Sequence, residues 1–220
     1  MRKVKIRIDV VSDVVCPWCY IGMRRLEKAT GQLSPQFDFD IEHIPFELNP
    51  EMPEKGRNQK EYLSAKFGEE RYHQITDHLT RIAAEEGLKF DFNRQIISPN
   101  TREAHRLIWF AKQEGKSSAV TEALMKAYFE DGVDLSKKEN LVSIAVKQGL
   151  DEKKVKTLLD SEEGLTEVLF AEQLNQQRGI SGVPFFIIND QFGISGAQPT
   201  EVFVKALTRI GTNVELEPKS

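Results

Sequence analysis

Two cysteines, Cys16 and Cys19, stand three residues apart at the end of an alternating apolar segment, and the 220-residue chain contains no others. Residues 3–12 alternate between apolar and charged side chains, which predicts a β-strand with one buried face. The residues after Cys19 carry apolar side chains at helical spacing. The stretch therefore predicts a strand, a tight turn and a helix that begins at the cysteines.

Cys16 is predicted to cap this helix, because Pro17 suits the first helical position, where its missing N–H needs no partner. Unpaired N–H groups and the positive end of the helix dipole then face the Cys16 sulfur, and both favour the thiolate. Cys19 shares this face of the helix at a Cα separation of about 5 Å, which suits a reversible disulfide. We expect Cys16 to be the attacking cysteine and Cys19 the resolving one.

Two other uses of a cysteine pair are less well supported. A structural zinc site needs four ligands, but the four histidines are scattered and no two have the helical ligand spacing of three or four residues. A purely structural disulfide would close a loop too short to constrain the unfolded chain. We therefore interpret the cysteines as a redox pair and expect no metal.

Composition narrows the class of protein. Hydrophobic residues make up 40% of the chain, so a core can form without disulfide staples. The formal net charge of −4 and the lack of a basic stripe argue against nucleic acid as a partner. We find neither a secretory signal nor a segment of the roughly 20 apolar residues that span a bilayer. We expect no membrane partner and a cytoplasmic location, where a lone cysteine pair is typically catalytic.

The chain divides into three blocks. Residues 37–46 alternate again, so the first block predicts a βαβ unit with parallel strands. Helical periodicity then dominates until strand patterns return in residues 182–188, followed by a turn, a short strand and a last helix. The two ends must share one sheet to bury their faces. We predict an α/β fold in which residues 1–57 and 179–220 form one domain and residues 58–178 an inserted helical domain.

Local signals predict several helix boundaries. Gly31 is expected to end the cysteine helix, and Gly68 interrupts a long helical pattern. Ser136 and Glu139 form a capping-box pattern that opens another helix. Asp151 is expected to cap a short helix that follows.

Several segments along the chain carry a family resemblance. They are Ser12-Asp13, Cys16-Pro17-Trp18-Cys19-Tyr20, Ser98-Pro99-Asn100-Thr101 with Ala104-His105-Arg106, Gly182-Val183-Pro184-Phe185-Phe186 and Gly196-Ala197-Gln198-Pro199. Together they resemble the DsbA family, and within it the FrnE-like branch. The resemblance implies a thioredoxin fold, βαβ followed by ββα, with a large all-helical insertion between the two halves.

The resemblance also implies a set of substrate-binding residues: Pro17, Trp18, Val183, Pro184, Asn100 and His105. The Val183–Pro184 bond is expected to be cis, and the main-chain groups of Val183 to be free for pairing with a substrate polypeptide. Trp18 either contacts the substrate or shields the cysteines, with a packing role as the alternative. Asn100 and His105 lie in the insertion and would reach the cleft, unless His105 is a packing or surface residue.

Glu47 follows the second predicted strand and has two interpretations. It could be a carboxylate near the cysteines that takes part in proton transfer. We favour the other interpretation, a solvated turn residue.

The implied function is that of a thiol–disulfide oxidoreductase or isomerase that acts on protein thiols and disulfides, or on a low-molecular-weight thiol. It needs no cofactor. The best-known oxidising members of the family have histidine where Trp18 stands, so a strongly oxidising potential is not expected here.

Two other functions stay open. Hydroxychromene-carboxylate isomerases and kappa-class glutathione transferases share the fold, which makes a glutathione-dependent small-molecule enzyme the alternative, with glutathione as co-substrate. Those relatives typically carry serine at the position of Cys16. The third candidate function is that of a holdase, which would bind its partners on the surface of the helical segment. This function predicts that Cys16→Ala leaves activity intact.

Overall fold

The computed structural model describes residues 3–216, and the side chains of residues 3–212. Strand β1 (Val4–Ser12) pairs in parallel with β2 (Phe37–Pro45), and helix α1 (Pro17–Leu33) connects them. On its other side β1 pairs antiparallel with β5 (Phe185–Ile188), which pairs with β6 (Phe192–Ser195). The sheet therefore has the order β2-β1-β5-β6 and joins the two ends of the chain, as predicted.

Helices occupy the segment between β2 and β5. They are α2 (Gln59–Phe67), α3 (Glu69–Glu85), α4 (Arg102–Gln113), α5 (Ser117–Phe129), α6 (Lys138–Lys147), α7 (Glu152–Leu159) and α8 (Leu165–Gln177). Two short strands, β3 (Arg57–Asn58) and β4 (Ile97–Ser98), pair with each other beside these helices. Helix α9 (Thr200–Leu216) follows β6 and packs against α1.

Two of the predicted helix boundaries are confirmed. Gly68, with φ of 87°, separates α2 from α3. Asp151 caps α7 through a carboxylate oxygen that accepts a hydrogen bond from the amide of Lys154 at 2.9 Å. The turn between β5 and β6 also lies where it was expected, with positive φ at Asn189 and Asp190, residue types that tolerate this conformation.

Two other boundaries were wrong. Helix α1 continues through Gly31 to Leu33, because burial of the Leu33 side chain in the core outweighs the helix penalty of one glycine. The N-cap of α6 is Lys137, and the hydroxyl of Ser136 donates a hydrogen bond to Asp134 and makes no capping bond. The aspartate side chain satisfies that hydroxyl locally, so the capping-box pattern is not used.

Two hydrophobic clusters meet at helix α1. One lies between the sheet and helices α1 and α9, and includes Ile8, Leu26 and Phe203. The other lies between the opposite face of α1 and the helices of the central segment, and it contains both cysteines. The division into residues 1–57 with 179–220 and residues 58–178 stays a prediction. In the part of the chain described here, we find no helix long and apolar enough to cross a membrane.

Candidate active site

The two cysteines lie where β1 leads into α1. Cys16 is the N-cap residue, with an extended backbone at φ −88° and ψ 112°, and Pro17 occupies the first helical position. The carbonyl oxygen of Cys16 accepts hydrogen bonds from the amides of Cys19 and Tyr20 at 3.0 and 3.3 Å. The first turn of the helix, residues 17–20, holds no acidic side chain, so no carboxylate within it opposes the helix dipole at the Cys16 sulfur.

Cys19 is fully buried, and both cysteines are free thiols. Burial is the largest cause that raises the pKa of Cys19 well above its usual value, and a hydrogen bond with Cys16 and the Cys16 charge raise the pKa further. The main-chain amide of Asp13 acts in the opposite direction but does not compensate. The Cys19 thiol therefore stays protonated at neutral pH and must lose its proton before it can act as a nucleophile.

Val183 and Pro184 lie beside the cysteines. The Cys16 thiol donates a weak hydrogen bond to the Val183 carbonyl oxygen, with the sulfur 3.8 Å away. The Val183–Pro184 peptide bond is cis, and the Pro184 carbonyl oxygen accepts a hydrogen bond from the Gly196 amide at 2.8 Å. In the reduced protein the carbonyl of Val183 is thus engaged by Cys16, although it was expected to be free. A role for these two residues in substrate binding stays a prediction.

Asp13 and His105 form a buried pair next to the cysteines. Asp13 Oδ1 is 3.5 Å from His105 Nε2, and both side chains are almost completely buried. The other carboxylate oxygen of Asp13 accepts a hydrogen bond from the Leu48 amide at 2.8 Å. Burial alone would lower the pKa of His105, but the hydrogen bond and charge of Asp13, with the charges of Glu172 and Glu47, raise it.

Glu47 belongs to the same buried group, so the favoured interpretation as a solvated turn residue was wrong. Its side chain is buried and accepts a hydrogen bond from Arg102 Nε at 2.9 Å. Its main-chain amide donates to Glu172 Oε1 at 2.9 Å. Burial raises the pKa of both carboxyl groups, although Arg102 counteracts this at Glu47. Glu47 pairs with Arg102 because a buried carboxylate needs a compensating charge.

A mainly apolar cavity of about 490 Å³ opens beside the cysteine motif. Pro17 and Trp18 form one wall, and helices α2 and α3 form the other with side chains such as Leu63 and Ile75. Asp13 also reaches this cavity. The Trp18 ring is half-buried and lies 6.3 Å, between ring centroids, from the ring of His78. Trp18 thus lies where it can contact a bound molecule.

The structure does not bring all the predicted site residues to one surface. The Asn100 side chain donates to the Met52 carbonyl oxygen at 2.8 Å and accepts from the Arg102 amide at 3.0 Å. It therefore joins the segment around Met52 to the start of α4. His105 lies buried beside Asp13. Substrate contacts by Asn100 and His105 stay predictions, but the groups they would use are already engaged or enclosed.

The sequence analysis did not anticipate that Asp13 is buried beside His105. The signal was a single carboxylate in the run from Val10 to Cys16, where Ser12 is the only other polar side chain, because a charged group in such a run is buried only with partners. The described residues, 3–216, contain no group of three or more His, Cys, Asp or Glu side chains arranged to hold a metal ion.

Comparisons with known proteins found a family model and several similar proteins. The family model described as a DSBA-like thioredoxin domain matches residues 7–208. The uncharacterised protein YwbO of Bacillus subtilis (strain 168) is 26% identical over 210 residues, which cover 92% of this chain and 96% of YwbO.

Two solved structures illustrate the range of similar folds. The crystal structure of a probable DsbA oxidoreductase from Streptomyces coelicolor has a TM-score of 0.87 and 35% identity, and the match covers 93% of this chain and 89% of that one. A 2-hydroxychromene-2-carboxylate isomerase has a TM-score of 0.71 and 16% identity, with 96% of this chain and 99% of that one covered. The second likeness is one of fold alone.

Proposed function

The chain belongs to the DSBA-like thioredoxin domain family, and from that premise we propose that it is a thiol–disulfide oxidoreductase that acts through Cys16 and Cys19. Membership confirms the predicted family and the thioredoxin fold, whereas the FrnE-like branch stays a prediction. The observation that carries the proposal is the position of the Cys16 sulfur. It lies at the N-terminus of α1 and 3.8 Å from the Val183 carbonyl oxygen, and Cys16 keeps 4% of its surface exposed whereas Cys19 keeps none.

The proposed reaction runs through a mixed disulfide. The Cys16 thiolate attacks one sulfur of a substrate disulfide, and the other substrate sulfur leaves as a thiolate that takes up a proton. Cys19 then loses its proton and attacks the Cys16 sulfur, which breaks the mixed disulfide and releases the second substrate thiol. The protein is left with a Cys16–Cys19 disulfide, and a dithiol or a low-molecular-weight thiol must reduce it. The oxidising direction is the reverse of these steps.

Protein substrates are the class that we propose first. The segment around Val183 lies at the cysteines with a half-buried side chain, and we propose that an extended polypeptide pairs with its main chain in place of the weak contact with Cys16. Main-chain pairing recognises no particular side chain, so an enzyme of this kind would accept varied sequences. A cytoplasmic location remains a prediction from the sequence.

The first experiment is insulin reduction and the refolding of scrambled ribonuclease, with glutathione or dithiothreitol as reductant. We expect activity in at least one assay, its loss in Cys16→Ser, and accumulation of a mixed disulfide through Cys16 in Cys19→Ser, detected by mass spectrometry. Full activity of Cys16→Ser, or no activity of the unmodified protein in both assays, would contradict the proposal.

A glutathione-dependent isomerase or transferase is the second candidate, and the apolar cavity next to Trp18 favours it. Its volume of about 490 Å³ is in the range of small-molecule sites. Isothermal titration of glutathione into Cys16→Ser separates the two candidates, because this variant cannot form a mixed disulfide through Cys16. Non-covalent binding would favour the second candidate, and no heat of binding would remove it.

A further inference from the structure

A group of charged side chains away from the cysteines joins α1 to the end of α3. Glu86 is the C-cap residue of α3, where the negative end of the helix dipole disfavours a carboxylate. Two cations of α1 compensate, because Arg25 Nε lies 2.5 Å from one Glu86 oxygen and Lys28 Nζ lies 2.6 Å from the other. Burial acts to raise the pKa of Glu86, but the bonds from Lys28 and Arg25 outweigh it and lower the pKa. The Glu86 carboxylate is therefore charged and held by α1.

Arg25 also bonds to the loop between β6 and α9. Its Nη1 group donates to the Ala197 carbonyl oxygen at 2.7 Å, while its Nε group stays on Glu86. A planar guanidinium holds its donors in fixed relative directions, so the bond to Glu86 determines where the other donor points. The Arg25 and Glu86 side chains keep only 15% and 12% of their surfaces exposed, so solvent screens their pair less than it screens a surface ion pair. Arg25 thus connects the end of α3 with the loop after β6.

This loop is bonded in turn to the segment that faces Cys16. The residue before Ala197 is Gly196, whose amide donates to the Pro184 carbonyl oxygen at 2.8 Å. Pro184 follows Val183, whose carbonyl oxygen lies 3.8 Å from the Cys16 sulfur. Each link between Arg25 and Cys16 is therefore a hydrogen bond or a single peptide unit.

The loop needs such a bond because it leaves the sheet at its edge. Strand β6 is the last strand in the order β2-β1-β5-β6, and it ends at Ser195. Gly196 follows with φ of 77°, a left-handed conformation that suits glycine. The hydrogen bonds that Gln198 makes, from its amide to Gly196 and from its side chain to Ser195, stay within the loop. They give the loop a local shape, whereas the bond from Arg25 places it against α1.

We propose that Arg25, held in direction by Glu86, is a positioning residue that sets the Val183–Pro184 segment at the distance from Cys16 that a polypeptide substrate requires. This inference rests on the proposed function, in which an extended polypeptide pairs with the main chain of that segment. Arg25 acts through Ala197 and touches neither the substrate nor the cysteines. Helix α1 then carries the attacking thiol at its start and holds the pairing segment from further along its length.

The test compares two reagents with the same leaving group. Dithiobis(nitrobenzoate) is an aromatic disulfide without peptide groups, and it releases a coloured thiolate when Cys16 attacks it. The second reagent is a short extended peptide whose single cysteine is disulfide-linked to the same thionitrobenzoate group. Attack of Cys16 on the peptide sulfur breaks that disulfide, releases the coloured thiolate and leaves the peptide bound to Cys16. The initial release is followed by stopped flow at increasing reagent concentrations, so that binding and attack are measured separately.

We expect Arg25→Met to weaken binding of the peptide reagent alone. Methionine keeps much of the apolar stem but loses the charge-assisted bond, so the half-saturating peptide concentration should increase by about tenfold. The limiting rate and the rate with dithiobis(nitrobenzoate) should stay within about twofold of those of the unmodified protein, because the Cys16 thiol itself is untouched. Arg25→Lys keeps the charge but not the fork of donors, and should fall between the two.

Glu86 and Arg24 provide the partner test and the control. Glu86→Gln should weaken peptide binding less than Arg25→Met, and should add nothing when it is combined with Arg25→Met, because Glu86 acts through Arg25. Arg24 is the matched control, since it also joins α1 to the central helices, through Glu122 on α5, but does not bond to the loop. Arg24→Met should behave like the unmodified protein with both reagents.

The other outcomes divide between the two ideas. Unchanged peptide binding in both Arg25→Met and Arg25→Lys, or the same loss in Arg24→Met, would overturn the positioning role. Equal slowing with both reagents would overturn it too, since Arg25 would then act on Cys16 or on the fold as a whole. Additive losses in the combined variant would overturn the part assigned to Glu86. If the unmodified protein reacted sluggishly with both reagents, the proposed function itself would fail.

Discussion

Gly22 is the residue at which helix α1 comes closest to the segment that carries Pro184. A Cβ atom added at Gly22 would lie 3.1 Å from Pro184 Cγ and 3.2 Å from Phe186 Cζ, with the Ala197 Cα at 3.4 Å. These distances are shorter than ordinary contacts, and Pro184 and Phe186 are both buried. Close packing leaves them little room to move. The lack of a side chain at Gly22 therefore helps to hold Val183 and Pro184 against the cysteines.

We expect Gly22→Ala to destabilise the protein and to slow disulfide reduction. Overpacking in a core costs about 1–3 kcal/mol, whereas alanine in place of glycine gains only about 1 kcal/mol of helix propensity. Urea denaturation should show a lower free energy of unfolding, and insulin reduction should be slower because the Pro184 segment moves away from Cys16.

Gly31 provides a matched control in the same helix. A Cβ atom there would meet nothing within 4 Å, and the residue is exposed. Gly31→Ala should raise the free energy of unfolding by about 1 kcal/mol and leave the reaction rate unchanged. Equal stabilisation by both substitutions would show that the close contacts at Gly22 do not limit the size of the side chain there.

Among the helices and strands, the sequence predicts those whose signals come from residues close together along the chain. The cysteine helix, the hairpin near the C-terminal end and the break at Gly68 all follow from local periodicity and turn residues. The pair β3 and β4 was not predicted, because two-residue strands carry no periodicity. The buried group of Asp13, Glu47 and His105 was not predicted either, since its members are far apart in the chain and only the fold brings them together.

His43 links two elements, and its burial predicts a loss of stability in acid. Its Nε2 atom lies 3.1 Å from Ser118 Oγ, so β2 is joined to α5. Burial lowers the pKa of His43 from 6.5 to about 4. Between these values the unfolded chain binds a proton that the folded protein does not, so the free energy of unfolding falls as pH falls from 6.5 to 4.

We expect His43→Gln to reduce this acid loss by up to about 3 kcal/mol. The measurement is the free energy of unfolding in urea across this pH range, compared with the exposed control His73→Gln, so that the contribution of the carboxylates cancels. His105 cannot mimic the effect, because its raised pKa stabilises the folded protein at low pH and loses that contribution as pH rises. Parallel curves for the two variants would contradict the prediction.

In the molecule as a whole, helix α1 contributes side chains to both of the hydrophobic clusters described above. Its Tyr20 hydroxyl donates to Glu122 on α5 at 3.0 Å, and Arg25 and Lys28 both pair with Glu86 at the end of α3. The cluster that encloses both cysteines also contains Leu107, from the central segment. The helical segment therefore completes the environment of the cysteines, whether or not it forms a domain of its own.

Because these cores share α1, we expect the protein to unfold in one cooperative transition. The two tryptophans report on its two parts, since Trp18 lies on α1 and Trp109 on α4. In Trp109→Phe the fluorescence of Trp18 follows the cysteine helix, and in Trp18→Phe the fluorescence of Trp109 follows the central helices. In each variant the fluorescence midpoint in urea should coincide with the midpoint of far-ultraviolet circular dichroism of the same variant. If Trp109 lost its native signal at a lower urea concentration than Trp18, the central helices would be an independent unit and the cysteine helix would keep its fold without them.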